Sequence, residues 1–99
     1  MVFIQFEAMP SQAISTRENV AGAYLNCWIH ADDAAEAEER ARQWIADEDW
    51  VIVSVEECRL VDVESEVSGP NGSYIREALE SGGSLVFHLW PPEGEERSG

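Results

Sequence analysis

Two histidines are the first candidates for chemistry in this chain. His30 and His88, with Asn26 or a nearby carboxylate, carry the side chains that an imidazole metal site or an acid–base pair requires. Neither histidine belongs to a His-x-x-x-His or Cys-x-x-Cys element, so the spacing has no metal signature. We therefore expect no metal and no cofactor, and we expect each imidazole to border an aromatic surface.

The cysteines and the glycine-rich turn add no catalytic pattern. Strand alternation places the Cys27 thiol on the opposite face from both imidazoles, which disfavours a nucleophile–base pair. Cys58 follows 31 positions later without a shared motif, so both cysteines are expected to be buried and reduced. The stretch 69–72 lacks the lysine of a phosphate-binding loop and predicts a turn. We predict no catalytic residue and lean towards a protein that is not an enzyme.

Acidic residues dominate the charge of the chain. Twenty of the 99 residues are acidic and six are basic, which gives a formal charge of −14. Such a field disfavours binding to nucleic acid or to an anionic membrane. The densest stretch surrounds Arg59 and does not match an EF-hand loop; it comprises Glu56, Glu57, Asp62, Glu64 and Glu66. A solvated strand end explains this stretch, and an anionic docking strip for a basic partner is the alternative.

The elements that must position these residues can be read from periodicity. Alternating side chains predict four strands, over residues 2–8, 20–30, 50–63 and 84–90. A helix is expected from Ala34, after an N-cap at Asp32 or Asp33. Tyr74, Ile75, Ala78 and Leu79 form the apolar side of a second, shorter helix. The third strand is longer than usual, so we expect a bulge or a protruding end beyond Glu57.

This order, β-β-α-β-α-β, predicts an α+β fold. Right-handed crossovers would put both helices on one face of a four-stranded sheet, as in a two-layer α/β sandwich of ferredoxin-like character. The single domain would cover residues 1–91, with a polar tail over 92–99. The helix-covered core would then consist of Val2, Ile4, Phe6, Leu25, Cys27, Ile29, Val51, Val53, Val55, Leu85, Phe87 and Leu89.

The opposite face of the predicted sheet is unusually aromatic. It holds three of the four tryptophans and both histidines. A sheet face that is not covered should carry polar side chains, and a large exposed apolar patch marks a binding surface. The candidate interface or ligand face consists of Tyr24, Asn26, Trp28, His30, Trp50, Ile52, His88 and Trp90. What covers this face is left open between three explanations: the connection over 9–19 with the C-terminal tail, a second subunit, or a ligand or heterologous partner.

The chain contains neither a run of about 18 apolar residues nor a secretory signal, so we expect a cytoplasmic protein. Several segments together resemble a group of small bacterial α+β proteins of unknown function. They are the stretch 24–29, the helix with Ala37, Glu38 and Ala41, the stretch 50–52 and the stretch 86–91. The resemblance implies a stand-alone bacterial domain with no catalytic activity, and it assigns no functional residue.

These observations favour a small acidic protein that forms a homodimer or binds a partner through the aromatic sheet face. Two alternatives stay open. One is a small-ligand-binding protein or enzyme of the dimeric α+β barrel type, with a pocket lined by Trp28, His30, His88 and Trp90. The other is an acidic, immunity-like protein that binds a basic protein partner.

Overall fold

The computed structural model describes residues 1–11 and 20–90. The tail predicted over 92–99 and most of the predicted 9–19 connection lie outside the described residues. Met9 and Pro10 belong to the first strand rather than to a connection. The elements are β1 (Val2–Pro10), β2 (Gly22–Ile29), α1 (Ala34–Asp47), β3 (Trp50–Leu60), α2 (Val63–Glu66), α3 (Gly72–Ser81) and β4 (Gly83–Trp90).

The four strands form one antiparallel sheet in the order β3-β1-β2-β4. The protein is therefore α+β as predicted, but the ferredoxin-like topology is wrong. Both β2 and β3 run antiparallel to β1, so α1 is a crossover between two parallel strands that passes over β1. By contrast, β3 and β4 lie at opposite edges and run antiparallel to each other. The handedness rule applies only to parallel crossovers, so it does not fix the side on which α3 packs.

The two longer helices pack on opposite faces of the sheet, which makes three layers and contradicts the prediction of one helical face. On the face that we call the α1 face, Ala37, Ala41 and Ile45 pack in one core with Ile4 and Phe6. On the other, the α3 face, α3 buries Ile75 and Ala78 against Phe3 and Trp28. Since Phe3 and Ile4 are consecutive in β1, their side chains point to opposite faces.

Helix α1 begins where the sequence predicts. The Asp33 carboxylate accepts a hydrogen bond from the backbone N–H of Glu36 at 2.8 Å, which satisfies one of the free donors of the first turn. Small residues at 37 and 41 let the helix approach the sheet closely. The chain leaves α1 through Asp49, which has a left-handed φ of 67°.

Strand β3 is interrupted by two register shifts. Along β1, Gln5 and Phe6 face Glu57 and Val55, so Glu56 is an extra residue on β3. A second extra residue, Val53, separates the partners of Glu7 and Ala8. The expected bulge is therefore confirmed, but both bulges lie before Glu57 rather than beyond it.

The bulges shift the alternation of β3 and correct the predicted core. Trp50 and Ile52 point to the α1 face, where Trp50 packs against Phe87 with ring centroids 5.4 Å apart. Val51 and Val53, predicted as core, are exposed. Each bulge adds one residue without a partner, and one added residue exchanges the faces to which later side chains point.

Two smaller predictions are also corrected. Cys27 is buried, whereas Cys58 is exposed, and both are free thiols. The α2 turn forms within the stretch predicted as strand end and loop.

Every helix in the part of the chain that the structure describes is too short or too polar to cross a membrane.

Candidate interaction surface

The α3 face of the sheet has a covered end and an open end. At the covered end the Trp28 indole stacks on Tyr74 of α3, with ring centroids 5.0 Å apart and planes 20° from parallel. The Phe3 ring also contacts Trp28, with ring centroids 4.9 Å apart and planes tilted by 55°. Trp28 is only 2% exposed, so it lies in the core beneath α3 rather than on the open face where the sequence predicts it. Within the described ranges its indole N–H has no hydrogen-bond partner.

The open end carries the residues that we call the open patch: Gln5, Tyr24, Asn26, His88 and Trp90. A row of hydrogen bonds crosses three strands here. Gln5 Nε2 donates to Asn26 Oδ1 at 3.0 Å, and Asn26 Nδ2 lies 3.1 Å from His88 Nε2. Because the Asn26 oxygen faces Gln5, its amide nitrogen faces the imidazole and donates to Nε2. The Asn26 amide therefore links Gln5 on one side to the His88 imidazole on the other.

An aromatic pair borders this polar row. The rings of Tyr24 and Trp90 lie 5.1 Å apart at 55° to each other, on neighbouring strands. Gly22 faces Trp90 across the strands, and a Cβ at this glycine would lie 2.4 Å from Cζ2 of the indole. Only glycine lets the indole lie this close to the backbone of β2. Tyr24 is 40% exposed, so the pair presents a rigid aromatic surface to solvent.

Apolar and acidic groups flank the open patch towards the β3 edge. Met9 and Val51 are cross-strand partners and both are exposed. Glu7 lies directly across from Tyr24 and next to Ser54, whose hydroxyl donates to the Glu56 carboxylate. The patch is therefore a polar and aromatic centre bordered by carboxylates.

The structure brings together four of the eight predicted interface residues: Tyr24, Asn26, His88 and Trp90. Of the others, Trp28 lies under α3, and Trp50 and Ile52 belong to the α1 face. His30 follows the end of β2, six residues from Tyr24, which pairs with His88. The two imidazoles are thus separated by roughly 20 Å along the strand and share no site.

Metal and nucleophile chemistry find no support in the described residues. Over 1–11 and 20–90, no group of three or more His, Cys, Asp or Glu side chains is arranged to hold a metal ion. Burial raises the pKa of the Cys27 thiol to about 12, so it stays protonated. The predicted pocket of Trp28, His30, His88 and Trp90 does not form. Trp28 lies under α3 and His30 lies beyond the end of β2, so neither is next to His88 and Trp90.

A cleft of about 320 Å³ lies at the turn between α3 and β4. Its lining includes Arg40 and Trp44 of α1, Glu77 of α3 and the turn glycine Gly82. The Arg40 guanidinium donates to the His30 carbonyl at 2.9 Å and to the Gly82 carbonyl at 3.3 Å. This arginine therefore ties α1 to the ends of β2 and α3, which is a structural role.

Sequence reasoning missed Gln5 and Gly22. Alternation in β1 does place Gln5 on the same side as Phe3, but only the register shows that it faces Asn26. The importance of Gly22 depends on the position of the Trp90 indole, which no local pattern reveals.

Comparison of the chain with protein-family models, with curated proteins and with solved structures found no match. The resemblance to small bacterial α+β proteins therefore stays a prediction. Function has to be inferred from the open patch and the charge around it.

Proposed function

We propose that this protein is a non-catalytic binding module that recognises a positively charged protein surface through the open patch. The observation that carries the proposal is the exposed Tyr24–Trp90 pair beside a hydrogen-bonded polar row, on a chain with a formal charge of −14. The composition suggests a basic partner, and we propose that the open patch is the surface to which that partner binds.

The open patch has the side chains that dominate binding energy in protein interfaces. Tryptophan and tyrosine are enriched among such residues because they bury a large area with few rotatable bonds. Here Gly22 seats the Trp90 indole, and the hydrogen bonds of Gln5 and Asn26 orient His88. The patch is therefore largely ordered before a partner arrives, which lowers the entropy lost on binding.

The charge around the patch favours a cationic partner over a second copy of this chain. Glu7 and Glu56 flank the aromatic pair, and they would attract arginine or lysine side chains and raise the rate of association. Two copies that met through this face would bring like carboxylates together. Helix α3 also stands about 10 Å above one end of the face, so two whole sheets cannot stack on each other.

Synthetic peptides of about a dozen residues, in which arginine alternates with aliphatic residues, provide the test probe; the alternation matches the pleat of a strand. We expect the peptide to shift the amide or indole NMR signals of Tyr24, Asn26 and Trp90. Trp90→Ala should weaken binding by about tenfold or more, a loss of at least about 1.4 kcal/mol. Added salt should also weaken binding, since it screens the attraction.

Leu89→Ala is the matched control. Leu89 precedes Trp90 on β4 and is 54% exposed, but its side chain points to the α1 face. We expect this variant to bind the peptide as the native chain does. Equal losses from both variants, or signal shifts that avoid the open patch, would contradict the proposal.

A further inference from the structure

The outer edge of β3 is an exposed strand with a self-complementary pattern. Among the described residues β3 pairs only with β1, so the backbone groups on its other side have no strand partner. Leu60 is 72% exposed, and Val55 and Cys58 on the same face are also exposed. An unpaired edge with apolar side chains is a template for pairing with another strand.

We propose that this edge pairs antiparallel with the same edge of a second copy of this chain, with the two Cys58 residues facing each other on the two-fold axis. In this register Arg59 of each copy lies opposite Glu57 of the other, on the α3 face. Leu60 lies opposite Val55 on the α1 face, once the bulged Glu56 is passed. Every pair therefore joins side chains on the same face.

The register follows from pairings already present within one chain. Against β1, the partners of Phe3, Ile4 and Gln5 are Arg59, Cys58 and Glu57, and the next partner is Val55 because Glu56 is skipped. The same skip on the outer edge brings Leu60 to Val55. The two cross-copy Arg59–Glu57 pairs are attractive, and the apolar row Leu60, Cys58 and Val55 loses solvent exposure.

Other registers fit less well. A shift of one residue would place side chains of one face against those of the other, because strand side chains alternate. The two-fold register also closes the pair, since each copy uses the same edge once and no further copy can add to it. The Arg59 guanidinium, which already contacts Glu57 and Glu66 of its own chain at 3.2 Å, remains exposed enough to reach a second carboxylate.

Overall charge opposes this dimer, which gives the inference a distinctive salt dependence. Each copy carries a formal charge of −14, so repulsion weakens association at low ionic strength. Raising the salt to about 0.5 M shortens the screening length to roughly 4 Å and should strengthen the dimer. Binding of a cationic peptide to the open patch should respond in the opposite direction. The two proposals can therefore fail separately.

Directed disulfide formation tests the register. In a Cys58→Ser background, one protein carries Leu60→Cys and a second carries Val55→Cys. Facing residues of an antiparallel pair have Cα atoms about 4.5 to 5.5 Å apart, within the range of a disulfide. After mild oxidation with diamide we expect the mixture to form the mixed disulfide dimer, and each protein alone to form at least about tenfold less, since its own cysteines would lie more than about 10 Å apart.

Sedimentation of the native chain and of two charge variants completes the test. Arg59→Glu should weaken dimerisation by about tenfold, and adding Glu57→Arg to it should restore association. Circular dichroism of every variant confirms that it is folded. A native chain that stays monomeric at about millimolar concentration in high salt, or cross-linking that is equal in all combinations, would overturn the inference.

Discussion

Gly22→Ala should weaken binding of the arginine-rich peptide while leaving the free energy of unfolding nearly unchanged. The added methyl would lie 2.4 Å from Cζ2 and 2.8 Å from Cε2 of Trp90, whereas carbon atoms in contact lie about 3.5 to 4 Å apart. The indole must therefore move by about 1 Å or more away from Gly22, which disrupts its packing against Tyr24. Loss of the aromatic pair removes about 0.5–1.5 kcal/mol of stability. Replacing glycine within a strand returns about 0.5–1 kcal/mol, so the free energy of unfolding should change by less than about 1 kcal/mol.

In this variant the affinity for the peptide should fall by more than the free energy of unfolding does. The displaced indole no longer presents the aromatic surface beside His88, so we expect the affinity for the arginine-rich peptide to fall by about tenfold or more. Urea unfolding measures stability, and NMR signals of the indole N–H groups report the position of Trp90. Gly69→Ala, in an exposed turn away from the patch, is the glycine control. An unmoved Trp90 signal together with native affinity would refute the reasoning.

Three further predictions concern stability and reactivity. Ile75→Ala should lower the free energy of unfolding by about 2–4 kcal/mol, because the side chain is fully buried on the α3 face, whereas Leu79→Ala on the exposed side should cost less than about 1 kcal/mol in the same urea titration. Asp33→Ala should lower stability by about 1 kcal/mol through loss of the α1 cap, and Asp33→Asn should retain most of it. A thiol reagent at mildly alkaline pH should modify Cys58 and spare Cys27 until the chain unfolds. The folded Cys27 thiol keeps its proton up to a pKa of about 12 while the unfolded thiol loses it near 9.0. Stability should therefore fall as the pH rises between these values, and less steeply in Cys27→Ala.

The parts of the open patch that the sequence predicts come from strands with unbroken alternation. Tyr24 and Asn26 stay on one face because β2 pairs with both neighbours without a register shift, and the same holds for His88 and Trp90 on β4. The two-residue spacing is therefore sufficient to place them on one face, whereas their closeness depends on the pairing of β2 with β4, which the sequence does not fix. The Asp33 cap was likewise predictable, since its partner lies three residues away.

The errors arise where long-range packing overrides local pattern. Trp50 and Ile52 lie on the face opposite to the predicted one because the bulge at Val53 adds one residue between them and Val55, which alternation cannot count. The apolar side of α3 has the same periodicity whichever face it covers, and an antiparallel connection has no handedness preference to decide between them. The aromatic character of the second face was itself a signal that a helix covers part of it, as Tyr74 does over Trp28.

Because two residues of β3 have no partner on β1, we expect this strand to tolerate the deletion of either one. Removing one residue from a regular strand inverts every side chain beyond it, but Val53 and Glu56 each lack a partner on β1. Deleting either would leave all the remaining β1–β3 partners where they are and straighten the strand locally. The edge of the sheet is thus a place where the length of the gene can change while the core stays intact.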